Sequence, residues 1–447
     1  FPPCFAGWRQ HWCDYLAAAE QGPPAAVYQL RGIESGRLYV RRRCVAQHLS
    51  AGHSRTAPGE TRHDVRQSYA ADLINHELHS SNMNAVIACG GTGGHLFPGI
   101  AVAEVLHDRG HEVMLLISEK DIDALALSGR TTFRVEKLPT VGLPSAFSPA
   151  LFGFARRFYE SLAMCRSLYR NFKPQVVLGM GGFTSTAPVL AGRIRGVPTF
   201  IHESNAIPGK ANRLTARIVN AVMLGFKECA PFFPKTHTEV TGTPVRTELR
   251  RLDRAVARQK LGLREDVATL LVMGGSQGAS GINRALIKAL PFLQGVPVQV
   301  IHLSGTRDER LVADNYRREN IPALIAAFHH RMEEVYSAAD LVIARAGAAS
   351  LAEFAAFSLP CILIPFPYAT DDHQTRNAEI YARSNAAILL KESELSGELL
   401  ARKVRELIEQ PQLLQKMAAH SSRLAPKDAA GRVVNTMEKY TTHEARL

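Results

Sequence analysis

A strand that breaks into glycines and restarts as a helix restricts this chain more than any other feature, because it occurs three times. Residues 86–89 (V-I-A-C) form a short apolar run. Four glycines around Thr92 follow, then a helical pattern with Ile100, Ala103 and Leu106 on one side. Residues 270–273 are a second apolar run, ahead of Gly274-Gly275-Ser276-Gln277-Gly278 and a helix carrying Ile282, Leu286 and Leu290. A third version, Gly179-Met180-Gly181-Gly182, follows residues 176–178. Each reads as a buried parallel strand, a tight turn and a helix. Glycine lets a ligand approach the amides closely, and the free N–H groups of the new helix favour a phosphate. His95 stands in the first turn of the first such helix. The fingerprint G-x-G-x-x-G is not met, since Leu96 stands where counting from Gly91 requires glycine, so a plain NAD site is disfavoured. Three such turns suggest several phosphates, or a diphosphate on each side of a cleft.

From Met83 the chain alternates apolar runs with helical patterns, which predicts an α/β fold with parallel sheets covered by helices on both faces. The glycine turns restart about 180 residues apart, one domain length. We therefore expect two doubly wound domains, 83–245 and 246–425, facing a cleft lined by the carboxyl ends of their strands. No apolar run is long enough to span a bilayer. Seven scattered cysteines without a C-x-x-C pair indicate neither a disulfide framework nor a zinc site, and fit a reducing cytoplasm. The net charge of +12 calls for an anionic partner: nucleic acid, acidic lipid or a phosphorylated substrate. Residues 1–82 differ from the rest, with both tryptophans, nine arginines and no lysine, and their apolar periodicity is poor. They read as an appended, mostly disordered extension, with Met83 as a natural start.

Further polar clusters fall at strand ends. His202-Glu203-Ser204-Asn205 offers a base, a charge and an amide for sugar hydroxyls, or an ordinary polar loop. Thr241-Gly242-Thr243-Pro244-Val245-Arg246 puts an arginine, the usual planar partner of a diphosphate, near the domain junction. After residues 340–344, Arg345-Ala346-Gly347-Ala348-Ala349-Ser350 opens a helix on which Glu353 lies one turn beyond Ser350. A carboxylate there can accept two vicinal hydroxyls, or the pair can merely cap the helix. Residues 371–378 (D-D-H-Q-T-R-N-A) form another polar helix start.

Seven motifs in this order resemble the MurG-type N-acetylglucosaminyltransferases of peptidoglycan synthesis. They are G-G-T-G-G-H-x-x-P, G-M-G-G, H-E-x-N, T-G-x-P-V-R, G-G-S-Q-G, R-x-G-A-x-S-x-x-E and D-x-H-Q-x-x-N-A, spread from residue 83 to about 440. The resemblance implies a GT-B fold, two Rossmann-like domains with acceptor on the N-terminal side and nucleotide sugar on the C-terminal side. Residues 426–447 would form a C-terminal helix returning to the N-terminal domain. The implied reaction moves GlcNAc from UDP-GlcNAc to the undecaprenyl-pyrophosphoryl-MurNAc-pentapeptide (lipid I), giving lipid II with inversion. Carried onto this chain, Ser276, Gln277 and Arg246 would hold the UDP diphosphate, and Glu353 with Ser350 the ribose side. Phe328 and His329 would read the uracil, while Gln374, Ala348 and Asn205 would orient the GlcNAc. Gly91, Thr92, Gly93, Gly94, Gly181, Gly182 and Phe183 would receive the lipid pyrophosphate, with residues 92–94 also reaching the donor. His95 would be the general base, and Glu203 its alternative. Two departures stand out: Ser204 replaces the family's glutamine, and Phe183-Thr184-Ser185-Thr186 replaces Tyr-Val-Ser-Gly.

The implied step is an in-line displacement that needs proton removal and charge absorbed on the leaving diphosphate. Helix amides and Arg246 can supply the second, so no cofactor and no protein metal site is expected; a divalent ion riding on the diphosphate is compatible. Asp121-Ile122-Asp123 spells D-x-D but reads as a solvated helix start. Phe152, Phe154 and Phe158 beside Arg156 and Arg157 read either as a face that docks into a lipid interface or as a core helix with an arginine pair facing water. The resemblance implies the first, on the anionic cytoplasmic face of the plasma membrane, and a lipid acceptor explains the charge better than nucleic acid does. Competing readings are another GT-B transferase with a glycolipid acceptor, a UDP-GlcNAc epimerase, and a basic nucleic-acid-binding protein.

Overall fold

A computed structural model describes residues 27–34, 37–43, 82–119, 133–139, 142, 144, 149–274 and 278–441. The chain divides into two units, Phe1–Ser81 and Asn82–Leu447. In the first, β1 (Val27–Glu34) and β2 (Arg37–Arg43) pair as an antiparallel hairpin inside the segment expected to be mostly disordered. The remainder of that expectation lies outside the described residues.

The second unit carries two parallel sheets. Its N-terminal lobe runs β3 (Asn84–Ala88), α1 (Gly93–Asp108), β4 (Glu112–Ser118), β5 (Arg134–Leu138), α2 (Ala150–Phe172), β6 (Val176–Gly179), α3 (Phe183–Ile194), β7 (Thr199–Glu203), α4 (Lys210–Thr215), β8 (Ala221–Leu224) and β9 (Thr238–Val240). The C-terminal lobe runs α5 (Arg254–Lys260), β10 (Ala268–Met273), α6 (Ser280–Leu293), β11 (Val298–Leu303), α7 (Glu309–Arg318), β12 (Ala323–Ala326), α8 (Met332–Ala338), β13 (Leu341–Ala344), α9 (Ala348–Ala356), β14 (Cys361–Leu363), α10 (His373–Arg383), β15 (Ala387–Leu389), α11 (Gly397–Ile408) and α12 (Pro411–Leu424). A last helix, α13 (Ala429–Thr441), follows.

Strand order is β5-β4-β3-β6-β7-β8-β9 in one sheet and β12-β11-β10-β13-β14-β15 in the other. Every described pairing in both is parallel, the doubly wound pattern expected from the alternation. The central strands are near-continuous apolar runs because helices cover both of their faces. Ile87, Leu115, Leu178 and Phe200 pack with Ile100 and Leu106 of α1. Val86, Met114, Val177 and Ile201 pack with Cys165 and Tyr169 of α2.

Helix α1 lies unusually close to its strand. A Cβ on Gly99 would come 2.5 Å from Cys89 Cβ, so this glycine supplies the close helix–strand approach that the missing G-x-G-x-x-G would have supplied. Helix α13 returns to the N-terminal lobe, where Val433, Val434 and Met437 join the α1 core. Glu438 there binds Arg109 at 2.8 Å and His111 at 3.0 Å. The chain thus passes between the lobes twice. The two passages touch, since a Cβ on Gly242 (φ +82) would collide with Pro426.

Candidate active site

In each sheet the connections diverge where strand order reverses, between β3 and β6 and between β10 and β13. Doubly wound sheets bind ligands at such points, beyond the carboxyl ends of the strands. The loops flanking those two points are the glycine turns and the R-A-G-A turn. In the N-terminal lobe, the turn after β3 passes through Gly91 (φ +90) to an extended Thr92, and α1 starts at Gly93. The turn after β6 takes Gly181 and Gly182 through φ +108 and +71, then opens α3 at Phe183.

These two turns abut through one imidazole. A Cβ on Gly181 would stand 3.0 Å from His95 Nε2, and one on Gly182 would stand 3.3 Å from His95 Cε1. Both positions therefore exclude side chains twice over, by φ and by the His95 ring. Thr92 Oγ1 lies 3.3 Å from His95 Nδ1.

The H-E-S-N loop is a buried polar knot beside this pair. Glu203 Oε1 accepts from Asn205 N (2.9 Å) and Asn205 Nδ2 (3.0 Å). Its Oε2 accepts from Gly209 N (3.0 Å) and Asn212 Nδ2 (2.8 Å). Four donated bonds make this carboxylate the organiser of residues 203–212. His202 is fully buried, and burial lowers its pKa. Its Nε2–H donates to Gly242 O at 2.9 Å, so Nδ1 accepts from the Ser204 hydroxyl at 3.2 Å. The backbone carbonyl of Gly242 thus fixes the tautomer, and the Ser204 hydroxyl serves the lone pair that is left.

In the C-terminal lobe the G-S-Q of residues 275–277, including Ser276 and Gln277, lies outside the described residues. Glu353 on α9 is buried, and desolvation raises its pKa while the Arg246 charge opposes that shift. Tyr336 of α8 donates its hydroxyl to Glu353 Oε2 at 2.8 Å, and Arg246 Nη2 stands 3.5 Å from Oε1. Arg246 also donates to Glu248 at 2.8 Å, yet its buried Nε has no hydrogen-bond partner. Ser350 is half-buried one turn before Glu353, and Ala348 is buried at the start of α9. Phe328 is exposed just beyond β12, and His329 Nδ1 accepts from Arg331 N at 3.2 Å. Gln374 Oε1 accepts from Ala346 N (3.3 Å) and Phe366 N (3.0 Å), which ties the two loops facing α10.

One residue joins the halves. Asn377 is fully buried on α10; its Oδ1 accepts from Ala206 N at 2.9 Å. Its Nδ2 donates to Asn205 Oδ1 and to Ala346 O, both at 3.1 Å. Asn205, expected on the sugar, is therefore bonded on one side to Glu203 and on the other to the opposite lobe. Asn377 stands in a motif quoted from the sequence but carries no local sign of this role. Tyr336 and Asn212 carry none either, because their partners lie 17 and 9 residues away.

On α2, Phe152 is 83% and Tyr159 70% exposed. Phe154 instead packs edge-on to Phe183 at 5.6 Å, which holds α2 against α3, and stacks on Phe158 of its own helix at 6.2 Å. Arg156 pairs with Glu160 (3.3 Å) and Arg157 with Glu119 (3.0 Å). Among the described residues no helix is long and apolar enough to cross a membrane. Among them, too, no group of three or more His, Cys, Asp or Glu is placed to hold a metal ion; residues 121–123 lie outside them.

Residues 85–224 match the glycosyltransferase family 28 N-terminal domain, and residues 269–433 match the glycosyltransferase family 28 C-terminal domain. The chain belongs to glycosyltransferase family 28. A relative from Geotalea uraniireducens is 41% identical over 361 residues, covering 80% of this chain and 98% of the relative. Another, from Geobacter sp. strain M21, is 39% identical over 363 residues, 79% of this chain and 95% of the relative. Both are named UDP-N-acetylglucosamine–N-acetylmuramyl-(pentapeptide) pyrophosphoryl-undecaprenol N-acetylglucosamine transferase. The crystal structure of MurG from Acinetobacter baumannii matches with a TM-score of 0.64 at 28% identity, covering 80% of this chain and all of that one. The two parallel-sheet lobes are thus the GT-B arrangement, and the MurG-type resemblance drawn from the seven motifs holds.

Proposed function

We propose that this glycosyltransferase moves GlcNAc from UDP-GlcNAc to the MurNAc hydroxyl of lipid I, forming lipid II while seated on the cytoplasmic face of the plasma membrane. The observation that carries the reading is the meeting of two polar clusters, one from each lobe. His95 is wedged between two glycine turns of one lobe, Arg246 and Glu353 adjoin in the other, and Asn377 pins the lobes together.

His95 stands with Nδ1 3.3 Å from Thr92 Oγ1 and Nε2 beside Gly181, where the acceptor's pyrophosphate would lie on the amides of α1 and α3. His95 therefore lifts the acceptor proton as the hydroxyl attacks the anomeric carbon opposite UDP. Glu203 is the weaker candidate, because both its oxygens already accept two hydrogen bonds. Arg246 and the first amides of α6 absorb charge on the departing diphosphate, and Glu353, steadied by Tyr336, takes the ribose hydroxyls. Leu151, Phe152 and Tyr159 form the face that enters the lipid interface.

The test is UDP release from UDP-GlcNAc, with and without a lipid I analogue, in wild type, His95→Ala and Glu353→Ala. Release should depend on the acceptor and fall by roughly 100-fold or more in His95→Ala. Glu353→Ala should chiefly raise the donor KM. Acceptor-independent turnover, or full activity in His95→Ala, would sink the corresponding assignment.

A further inference from the structure

We propose that Phe97 is a positioning residue for the donor diphosphate, supplied by the acceptor lobe to an arginine at the lobe junction. The inference rests on the reading above that Arg246 binds that diphosphate.

The Arg246 guanidinium lies face-on to the Phe97 ring, 4.1 Å from its centre. Stacking fixes the plane of a guanidinium while leaving its N–H edges free to reach an anion, which an ammonium cannot reproduce. Those edges are under-used: one short bond to Glu248, one long contact to Glu353, and a buried Nε with no hydrogen-bond partner. The ring is itself held in place. Phe97 lies one turn after Gly93, and a Cβ on Gly93 would come 3.2 Å from Phe97 Cε2. The second glycine pair of the turn thus has a use beyond amide exposure, since Gly93 leaves room for the ring that carries Arg246. Farther along α1, Glu104 Oε2 accepts from Thr247 N (3.3 Å) and Thr247 Oγ1 (2.5 Å). Helix α1 therefore grips the linker at two successive residues, and the same helix carries His95 in its first turn. Arginine plane and imidazole are set by one rigid element, so the donor's diphosphate is held in register with the proton acceptor.

The test uses the full chain and measures binding of UDP and of uridine, which keeps base and ribose but lacks phosphate. Phe97→Leu should weaken UDP about tenfold, the scale of a desolvated cation–π contact, and leave uridine within about twofold. Phe97→Tyr keeps a ring and should stay within about threefold of wild type for UDP. Adding Phe97→Leu to Arg246→Met should weaken UDP no further than Arg246→Met alone. Retained uridine binding shows that each variant is folded. Equal weakening of UDP and uridine by Phe97→Leu, unchanged UDP binding, or a further loss in the double variant overturns the role of Phe97. Wild-type UDP affinity in Arg246→Met instead overturns the reading of Arg246, and this inference with it.

Discussion

At the scale of single residues, partners decide chemistry more than residue type does. Glu203 and Glu353 are both buried acids, yet the first is saturated by four donors and the second keeps an oxygen toward Arg246. His302 makes the same point away from the site. Its Nε2–H donates to Asn283 Oδ1 at 3.0 Å, its Nδ1 accepts from Tyr316 at 3.2 Å, and burial lowers its pKa to about 3. The folded chain thus refuses a proton that the unfolded chain takes up below about 6.5. The stabilisation is full above pH 6.5 and is lost as pH falls from there toward 3, by roughly 1.4 kcal/mol per pH unit. Urea unfolding at pH 6.5 and 5.5 should show that loss in wild type. In His302→Leu the baseline should drop, because Asn283 and Tyr316 lose a partner, and the slope should shrink by one proton. An unchanged slope would mean that His302 is protonated when folded. The candidate site residues were legible as candidates, since His95, Glu203, Arg246 and Glu353 stand in short motifs that follow strands. Their supports were not, because Phe97, Tyr336 and Asn377 act across distances that no local spacing encodes.

At the scale of elements, the central strands could be read from apolar runs, whereas β5 and β9 could not. R-V-E-K-L and T-E-V lie at sheet edges, where one side meets water and charge is tolerated. Helix α2 divides the aromatic stretch that the sequence offered as one patch. Phe154 is spent on Phe183 of α3 and Phe158 stacks on Phe154, so the exposed Phe152 and Tyr159 remain for lipid. Phe152→Glu combined with Tyr159→Glu should cut sedimentation with anionic vesicles by about tenfold or more, with UDP affinity as the control for an intact C-terminal lobe. Vesicle binding equal to wild type would move the docking face elsewhere. Helix α1 is the most constrained element. Gly99→Val would force its backbone off Cys89 and should destabilise by roughly 1–3 kcal/mol, read as a fall in Tm.

At the scale of the molecule, the lobes are not beads on a string. Helix α13 follows the C-terminal lobe in sequence but packs on the N-terminal lobe, through Val433, Val434, Met437 and the Glu438 ion pairs. Gly242→Ala should tell how much the junction matters. It combines a φ of +82 with a collision against Pro426, and should cost roughly 1–3 kcal/mol along with turnover. A normal Tm with normal turnover would show the junction to be slack. Two neighbouring straps behave differently from one. A single tether lets a body spin as well as bend, while paired tethers resist torsion and leave bending as the easy motion. Opening to admit a nucleotide and shutting over it should therefore follow one arc, back and forth, with the pivot wired through the Gly242 carbonyl to the imidazole of His202.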